Sequence, residues 1–144
     1  MNILVLEDRP NVLKNMEELL TDMKYKVYSC QNIYVANEKL EENKIDCFII
    51  DLAMSPEGLD NIELMEKTEN GNFTGWVWVD EKVLKKNKNL KDRIIIFSAY
   101  VGEFESYMRQ YNIPKDIFIL SKGDPDCNKK LEDKLAELQQ QLKS

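Results

Sequence analysis

Acidic, hydroxyl and amine side chains stand directly after four short apolar runs of the chain: Glu7 with Asp8, Asp51, Ser98 and Lys122. Carboxylates 4 Å apart repel by about 4 kcal/mol at an effective dielectric of 20, so three of them at one place favour a bound cation. Oxygen ligands without His or Cys favour Mg²⁺ or Mn²⁺ over zinc. A carboxylate can also take a phosphoryl group as a nucleophile, and a metal and an ammonium group then offset the transferred charge. If these side chains meet, they predict a phosphoryl-handling site in which Asp51 is the nucleophile.

Five apolar runs, each followed by a helical pattern, are the elements that would bring these groups together. They predict strands at 3–6, 26–30, 47–50, 94–97 and 117–120. Runs that are apolar at consecutive positions are typical of strands buried on both faces. Their alternation with helices predicts an α/β fold, a doubly wound five-stranded parallel sheet with helices on both faces. Ligands of such folds lie beyond the carboxyl ends of the strands, where the polar groups stand.

The connection between the third and fourth predicted strands is far longer than a simple crossover needs. We predict a long loop over 55–73 with one or two helical turns, and then a helix that Thr74 caps and that carries Trp76 and Trp78. The two Trp side chains point roughly 200° apart on a helix, so we expect only one of them in the core. Long ordered loops are often functional, and the alternative is a tolerated surface insertion.

Composition excludes several classes of function. With 26 Asp and Glu against 20 Lys and Arg, the net charge is −6, which disfavours nucleic acid and anionic membranes as partners. The chain has no His, so Ser-His-Asp and Cys-His catalysis and most zinc chemistry are excluded, and any phosphohistidine must belong to a partner. Three separated cysteines, no signal peptide and no long apolar run predict a cytoplasmic protein with reduced thiols.

The ordered motifs resemble the receiver domain of bacterial two-component response regulators, the CheY-like family. The matching pieces are LVLEDRP, FIIDLAMSP, IIIFSA and FILSKGD, which stand in the family's order and span nearly the whole chain. The resemblance implies a flavodoxin-like sheet of order 2-1-3-4-5 and a single receiver domain over residues 1–144. The segment 55–73 would then be an insertion before the third helix, and we expect no residues to be left for an output domain.

The resemblance also implies roles for the site residues. Asp51 would accept a phosphoryl group from a partner histidine kinase or phosphotransfer protein and form an aspartyl phosphate. Asp8, Asp51 and the backbone carbonyl of Ala53 would bind Mg²⁺ (or Mn²⁺), and Glu7 would act through metal-bound water.

The remaining implied roles concern the response to the phosphoryl group. Lys122 would hold it, Ser98 would swing toward it, and Ala53 and Tyr100 would flank it and modulate its hydrolysis. Phosphorylation would shift the surface formed by the helix after the fourth strand, the fifth strand and the last helix, so that a downstream protein binds. We expect a monomer or a weak homodimer, and no conventional enzyme.

Two positions depart from the family pattern. Gly123 follows Lys122 where the family usually has Pro, and Ile119 stands where an aromatic residue is usual, while Phe118 faces the opposite side by strand alternation. These departures support an alternative, a receiver-fold binding module that works without phosphorylation. A phosphatase with an Asp nucleophile is disfavoured, because Ala53 stands where such enzymes usually place a second acid.

Overall fold

Five parallel strands form one sheet at the centre of the protein. The computed structural model describes residues 1–143. Its strands are β1 (Asn2–Leu6), β2 (Lys26–Cys30), β3 (Cys47–Ile50), β4 (Ile94–Ser98) and β5 (Phe118–Ser121). Their order in the sheet is β2-β1-β3-β4-β5. The predicted fold is confirmed, and the last strand begins and ends one residue later than its apolar run.

Residues 1–143 contain six α-helices: α1 (Pro10–Asp22), α2 (Ile33–Glu42), α3 (Ile62–Lys67), α4 (Thr74–Val79), α5 (Val101–Gln110) and α6 (Cys127–Lys143). A π-helical turn (Asp80–Leu84) continues α4, and a 3-10 helix (Lys88–Arg93) precedes β4. Pro10 at the first position of α1 has a fixed φ that suits a helix start. None of the helices in residues 1–143 is long and apolar enough to cross a membrane.

Strand alternation divides the core into two layers. On one face, Leu4, Phe48 and Ile96 pack with residues of α2, α4 and α5. On the other face, Val5 and Ile95 pack with residues of α1 and α6. Both faces of the sheet are therefore covered, and this explains why the strand sequences are apolar at consecutive positions.

Both Trp side chains of α4 are buried, so the expectation that only one lies in the core is wrong. Trp76 is 4% exposed and Trp78 is fully buried. Trp76 packs toward α5, with its ring 5.8 Å from that of Phe104, and Trp78 donates from Nε1 to Asn37 of α2 at 2.8 Å. Because α4 lies between two neighbouring helices, side chains that point about 200° apart both find apolar partners.

The segment before α4 is part of the core. It contains α3, as the predicted helical turns require, and it buries Met54, Leu59, Leu64 and Phe73 on the α4 side of the sheet. These buried side chains anchor the segment on the α4 side of the sheet, while Ile62 and Met65 are exposed; that 55–73 is an insertion stays a prediction.

The predicted capping role of Thr74 is wrong. Phe73 is the N-cap residue and makes no side-chain capping bond, whereas Thr74 is the first residue of α4. The Thr74 hydroxyl is fully buried and donates to the Met54 carbonyl at 2.7 Å. A buried hydroxyl requires a hydrogen-bond partner; this one joins the start of α4 to the chain just after β3.

Candidate functional site

Three carboxylates meet at the carboxyl edge of the sheet. Glu7 and Asp8 follow β1 and Asp51 follows β3; the two strands are paired, and the Asp51 N–H donates to the Leu6 carbonyl at 2.8 Å. One carboxylate oxygen from each of the three acids lies within 4.8 Å of the others. Glu7 and Asp51 are buried and Asp8 is exposed. Adjacent parallel strands thus bring together acids that are more than forty residues apart in sequence.

Lys122 reaches this cluster from the end of β5. Its Nζ lies 2.5 Å from Glu7 Oε1 and 3.4 Å from Asp51 Oδ1, and its side chain is 15% exposed. The backbone N–H of Lys122 donates to the Ser98 carbonyl at 2.9 Å, which fixes the start of the loop after β5. One ammonium group therefore contacts both buried carboxylates.

Burial and crowding of like charge set the protonation of the acids. Burial raises the pKa of Asp51 to about 7, and the negative charge of Glu7 adds to the shift. Burial and Glu7 likewise raise the pKa of Asp8. Burial also acts to raise the pKa of Glu7, but hydrogen bonds from Lys122 and from the Arg9 N–H hold it below its usual value. Without a cation, one ammonium group does not offset three carboxylates.

This donor set fits Mg²⁺ or Mn²⁺. All three side chains offer hard carboxylate oxygens, and a divalent cation would favour their ionised forms. Ligands at the Mg²⁺–O distance of about 2.0–2.1 Å stand roughly 3 to 4 Å apart in an octahedron. The observed separations, within 4.8 Å, are close to this range.

A cavity of about 350 Å³ opens beside the cluster. Its lining includes Asp8, Asp51, Ala53, Tyr100 and Lys122. The sequence prediction is therefore met for the position of these five residues, whose functional roles stay predictions.

Ser98 occupies a different position from the other expected site residues. It is fully buried at the end of β4, and its hydroxyl oxygen accepts a hydrogen bond from the Tyr100 N–H at 2.9 Å. Among the described residues, no hydrogen bond joins this hydroxyl to the acids. The swing that the family resemblance implies would have to break the bond to Tyr100.

Four further polar residues among those described line the cavity: Arg9, Ser55, Asn70 and Asn72. The sequence analysis did not identify them. Arg9 directly follows the acid pair, and Asn70 and Asn72 flank Gly71 in an Asn-Gly-Asn run that is a turn signal. That run could have been recognised as a turn, but its position at the cavity depends on the packing of the whole segment after β3.

The two departures from the family pattern have visible structural counterparts. The Gly123 N–H donates to the Ser121 hydroxyl at 3.2 Å, and the Lys122–Gly123 peptide bond is trans. Ile119 packs on the α5 side of the sheet, whereas Phe118 packs on the α6 side, where Lys134 Nζ lies 5.0 Å from its ring centre. Phe118 thus faces away from α5, as strand alternation predicts.

A family model described as the response regulator receiver domain matches residues 3–75, half of the chain. The chain belongs to this family. Receiver domains of this CheY-like, flavodoxin-like fold are signalling modules of two-component systems, and they bind Mg²⁺ at an acidic pocket. No match was found among curated protein sequences.

Solved receiver structures share the fold. The response regulator TrrA from Thermotoga maritima, in complex with Mg²⁺-BeF, is 22% identical with a TM-score of 0.65; the match covers 95% of this chain and 97% of that one. The non-phosphorylated HemR receiver domain from Leptospira biflexa is 22% identical with a TM-score of 0.66, covering 95% and 92%. The chemotaxis protein CheY4 from Vibrio cholerae is 16% identical with a TM-score of 0.64, covering 95% and 97%.

Proposed function

We propose that this receiver domain is switched by Mg²⁺-dependent phosphorylation of Asp51. The observation that supports this most directly is the contact of Lys122 with both Glu7 and Asp51 beside a third carboxylate. Such a set can bind a divalent cation and offset the charge of a phosphoryl group at one place. Asp8, Asp51 and the Ala53 carbonyl would hold the ion, with Glu7 acting through a bound water.

The residues of the site divide the chemistry between them. An Asp51 carboxylate oxygen attacks phosphorus, and the bond from phosphorus to the donor nitrogen breaks. The bound cation would neutralise charge on the transferring group. Lys122 binds a phosphoryl oxygen, and its ion pair with Glu7 weakens as a result. Ser98 donates to another oxygen after leaving Tyr100, while Ala53 and Tyr100 flank the group and set the access of water.

The chain itself contains no His, so a phosphohistidine that donates the phosphoryl group would belong to another protein, a histidine kinase or phosphotransfer protein. The output would be a shift of the surface formed by α5, β5 and α6, which alters binding of a downstream protein. A coupling of this kind is typically about 1–3 kcal/mol. We place the protein in the cytoplasm, where its three buried free cysteines would stay reduced.

Incubation with Mg²⁺ and acetyl phosphate, or with beryllofluoride, tests the proposal. Intact mass should show one phosphoryl group, and Trp fluorescence should respond, because the residue before Trp76 donates its N–H to the Leu52 carbonyl at 3.0 Å. Asp51→Asn should abolish both signals. Asp22→Asn, at an exposed acid that ends α1, is the matched control and should keep them. Absence of an adduct and of Mg²⁺ affinity in the unaltered protein would refute phosphorylation.

The alternative is a receiver-fold module that binds its partner without phosphorylation. Ile119 in place of the usual aromatic residue favours it, since the aromatic ring that Ser98 would act on is absent from the α5 side of β5. The same experiment decides between the two functions. A protein that forms no adduct but retains its partner would have this second function.

A further inference from the structure

The backbone on both sides of Ala53 is hydrogen-bonded to the segment that leads into α4. Before Ala53, the Leu52 carbonyl accepts from the Gly75 N–H at 3.0 Å. After Ala53, the Met54 N–H donates to the Gly71 carbonyl at 3.0 Å. In the described part of the chain, no hydrogen bond engages the Ala53 carbonyl itself. The chain therefore fixes the neighbours of this carbonyl and leaves it open to a ligand from outside.

The direction of the Ala53 carbonyl follows from the peptide unit that it shares with Met54. The peptide bonds of residues 1–143 are trans, and in a trans peptide the C=O and the N–H point to opposite sides. The Met54 N–H points to Gly71, so the Ala53 carbonyl is directed away from that turn. Ala53 also lines the cavity beside Asp51, where the proposed function assigns its carbonyl to the bound cation. The Met54 hydrogen bond thus sets the direction of this ligand.

The hydroxyl of Thr74 stabilises the same peptide unit. It donates to the Met54 carbonyl at 2.7 Å, and it lies 3.3 Å from the Gly71 carbonyl oxygen that accepts the Met54 N–H. Both backbone polar groups of Met54 therefore contact the same two residues, Gly71 and Thr74. Thr74 is fully buried and is not among the residues that line the cavity beside Asp51. Its hydroxyl can act on a bound ion only through the backbone.

The helix itself does not require a hydroxyl at position 74. Phe73 is the N-cap residue of α4, so Thr74 caps no N–H group of the helix. Val has the same branching at Cβ and would avoid the cost of burying a polar group. Among the described residues, however, no other donor reaches the buried Met54 carbonyl, which would be left unpaired. The hydroxyl therefore serves the chain that carries Ala53 rather than α4.

We propose that Thr74 is a positioning residue for Mg²⁺ binding: its hydroxyl holds the Met54 peptide so that the Ala53 carbonyl stays directed at the bound cation. This inference rests on the proposed function, which supplies the role of Ala53. Groups that do not touch a metal but orient its ligands are typically worth at least about tenfold in metal affinity. We therefore expect the Mg²⁺ affinity to depend on this hydroxyl.

Two substitutions separate the hydroxyl from the shape of the side chain. Thr74→Val keeps the branching and removes the hydroxyl, whereas Thr74→Ser keeps the hydroxyl and removes a methyl group. In isothermal titration calorimetry, Thr74→Val should bind Mg²⁺ about tenfold more weakly than the unaltered protein, and Thr74→Ser should stay within about twofold. A purely structural role would make the affinity follow the loss of stability in both variants. Equal affinities of the two variants would overturn the proposal.

A spectroscopic signature tests whether the effect passes through Ala53. The ¹³C carbonyl resonance of Ala53 should shift when Mg²⁺ is added to the unaltered protein and to Thr74→Ser, and it should shift less in Thr74→Val at saturating Mg²⁺. Tyr107→Phe is the matched control, because it removes another hydroxyl that donates to a backbone carbonyl, that of Lys67 at 2.8 Å. Neither of these residues lines the cavity beside Asp51. The control should therefore keep both the affinity and the shift, and an equal loss in the control would overturn the role of Thr74.

The remaining outcomes also decide the matter. Should Thr74→Val fail to fold, Thr74→Ala is compared with Thr74→Ser, because both lack the methyl group and only Thr74→Ala lacks the hydroxyl. Thr74→Ala must then bind Mg²⁺ more weakly than Thr74→Ser. An unaltered protein that binds no Mg²⁺ would overturn the proposed metal site and the role of Thr74 together. Normal Mg²⁺ affinity in folded Thr74→Val would overturn the role of Thr74 alone and leave the proposed function intact.

Discussion

Gly75 is the residue whose replacement tests most sharply how the chain around Asp51 is packed. It is the second residue of α4, and its N–H donates to the Leu52 carbonyl at 3.0 Å. A Cβ added at this position would stand 1.8 Å from the carbonyl oxygen of Asp51 and 2.8 Å from Ile50 Cγ2. The helix therefore approaches the backbone of Asp51 so closely that no side chain fits at position 75.

The size of the effect follows from these contacts. Real Cβ atoms essentially never come closer than 3.0 Å, so Gly75→Ala must separate α4 from Asp51 by about 1.2 Å. Such overpacking costs about 1–3 kcal/mol, and disruption of the hydrogen bond to Leu52 adds about 1 kcal/mol. Helix propensity favours Ala by up to about 1 kcal/mol. With the full propensity gain subtracted, we expect a net loss of about 1–3 kcal/mol in the free energy of unfolding.

Urea denaturation followed by Trp fluorescence measures this loss. Gly102→Ala is the matched control, because a Cβ at this helical glycine meets no atom within 4 Å. It should leave stability unchanged or raise it by up to about 1 kcal/mol. Beryllofluoride affinity should fall in Gly75→Ala and not in Gly102→Ala, because only the former displaces Asp51. A Gly75→Ala protein as stable as the unaltered chain would refute the close approach of α4.

Three further predictions concern single contacts. Tyr107→Phe should lower the free energy of unfolding by about 1 kcal/mol, because the hydroxyl donates to the backbone of α3 at 2.8 Å, and Tyr111→Phe should change it less; equal urea midpoints for the two variants would contradict this. Asn32→Ala should cost about 1 kcal/mol in the same assay, because its side chain caps α2 by accepting from a backbone N–H at 2.9 Å. Asp8→Asn should weaken Mg²⁺ binding roughly tenfold in a fluorescence titration, whereas Asp22→Asn should leave it unchanged; retained affinity in Asp8→Asn would remove Asp8 from the ligand set.

The strand positions and the acid cluster could be predicted because both depend on local sequence and one topological rule. An apolar run that ends in a polar residue marks the end of a strand, and parallel strands place their carboxyl ends at one edge. Glu7, Asp8, Asp51 and Lys122 follow from this rule alone. The hydrogen bond that the Tyr100 N–H donates to the Ser98 hydroxyl oxygen does not follow from this rule, because it depends on the course of the loop after β4.

The errors at Thr74 and Trp76 have a common cause in tertiary packing. Helical periodicity gives the angle between two side chains but not the number of neighbours around the helix. A prediction from amphipathic periodicity assumes that a helix has one buried face. The helix α4 instead has apolar neighbours on several sides: α2, α5 and the segment that contains α3. All six residues of α4 are consequently buried, and its first hydroxyl must bond within the core instead of capping a solvent-exposed end.

The segment between β3 and α4 has two structural roles: it completes the core beside α5, and it lines the cavity next to Asp51. Its apolar residues, including Phe73, close the core beside α5, where Phe73 stacks on Tyr107 at 4.1 Å. Its polar turn, with Asn70 and Asn72, lines the cavity beside Asp51. Asn72 of the turn directly precedes Phe73 of the stack. A bound group that displaces the turn would therefore also displace the ring of Phe73 where it contacts α5. Phe73, in the segment between β3 and α4, thus supplies an aromatic contact to α5, whereas β5 places Ile119 on the α5 side of the sheet.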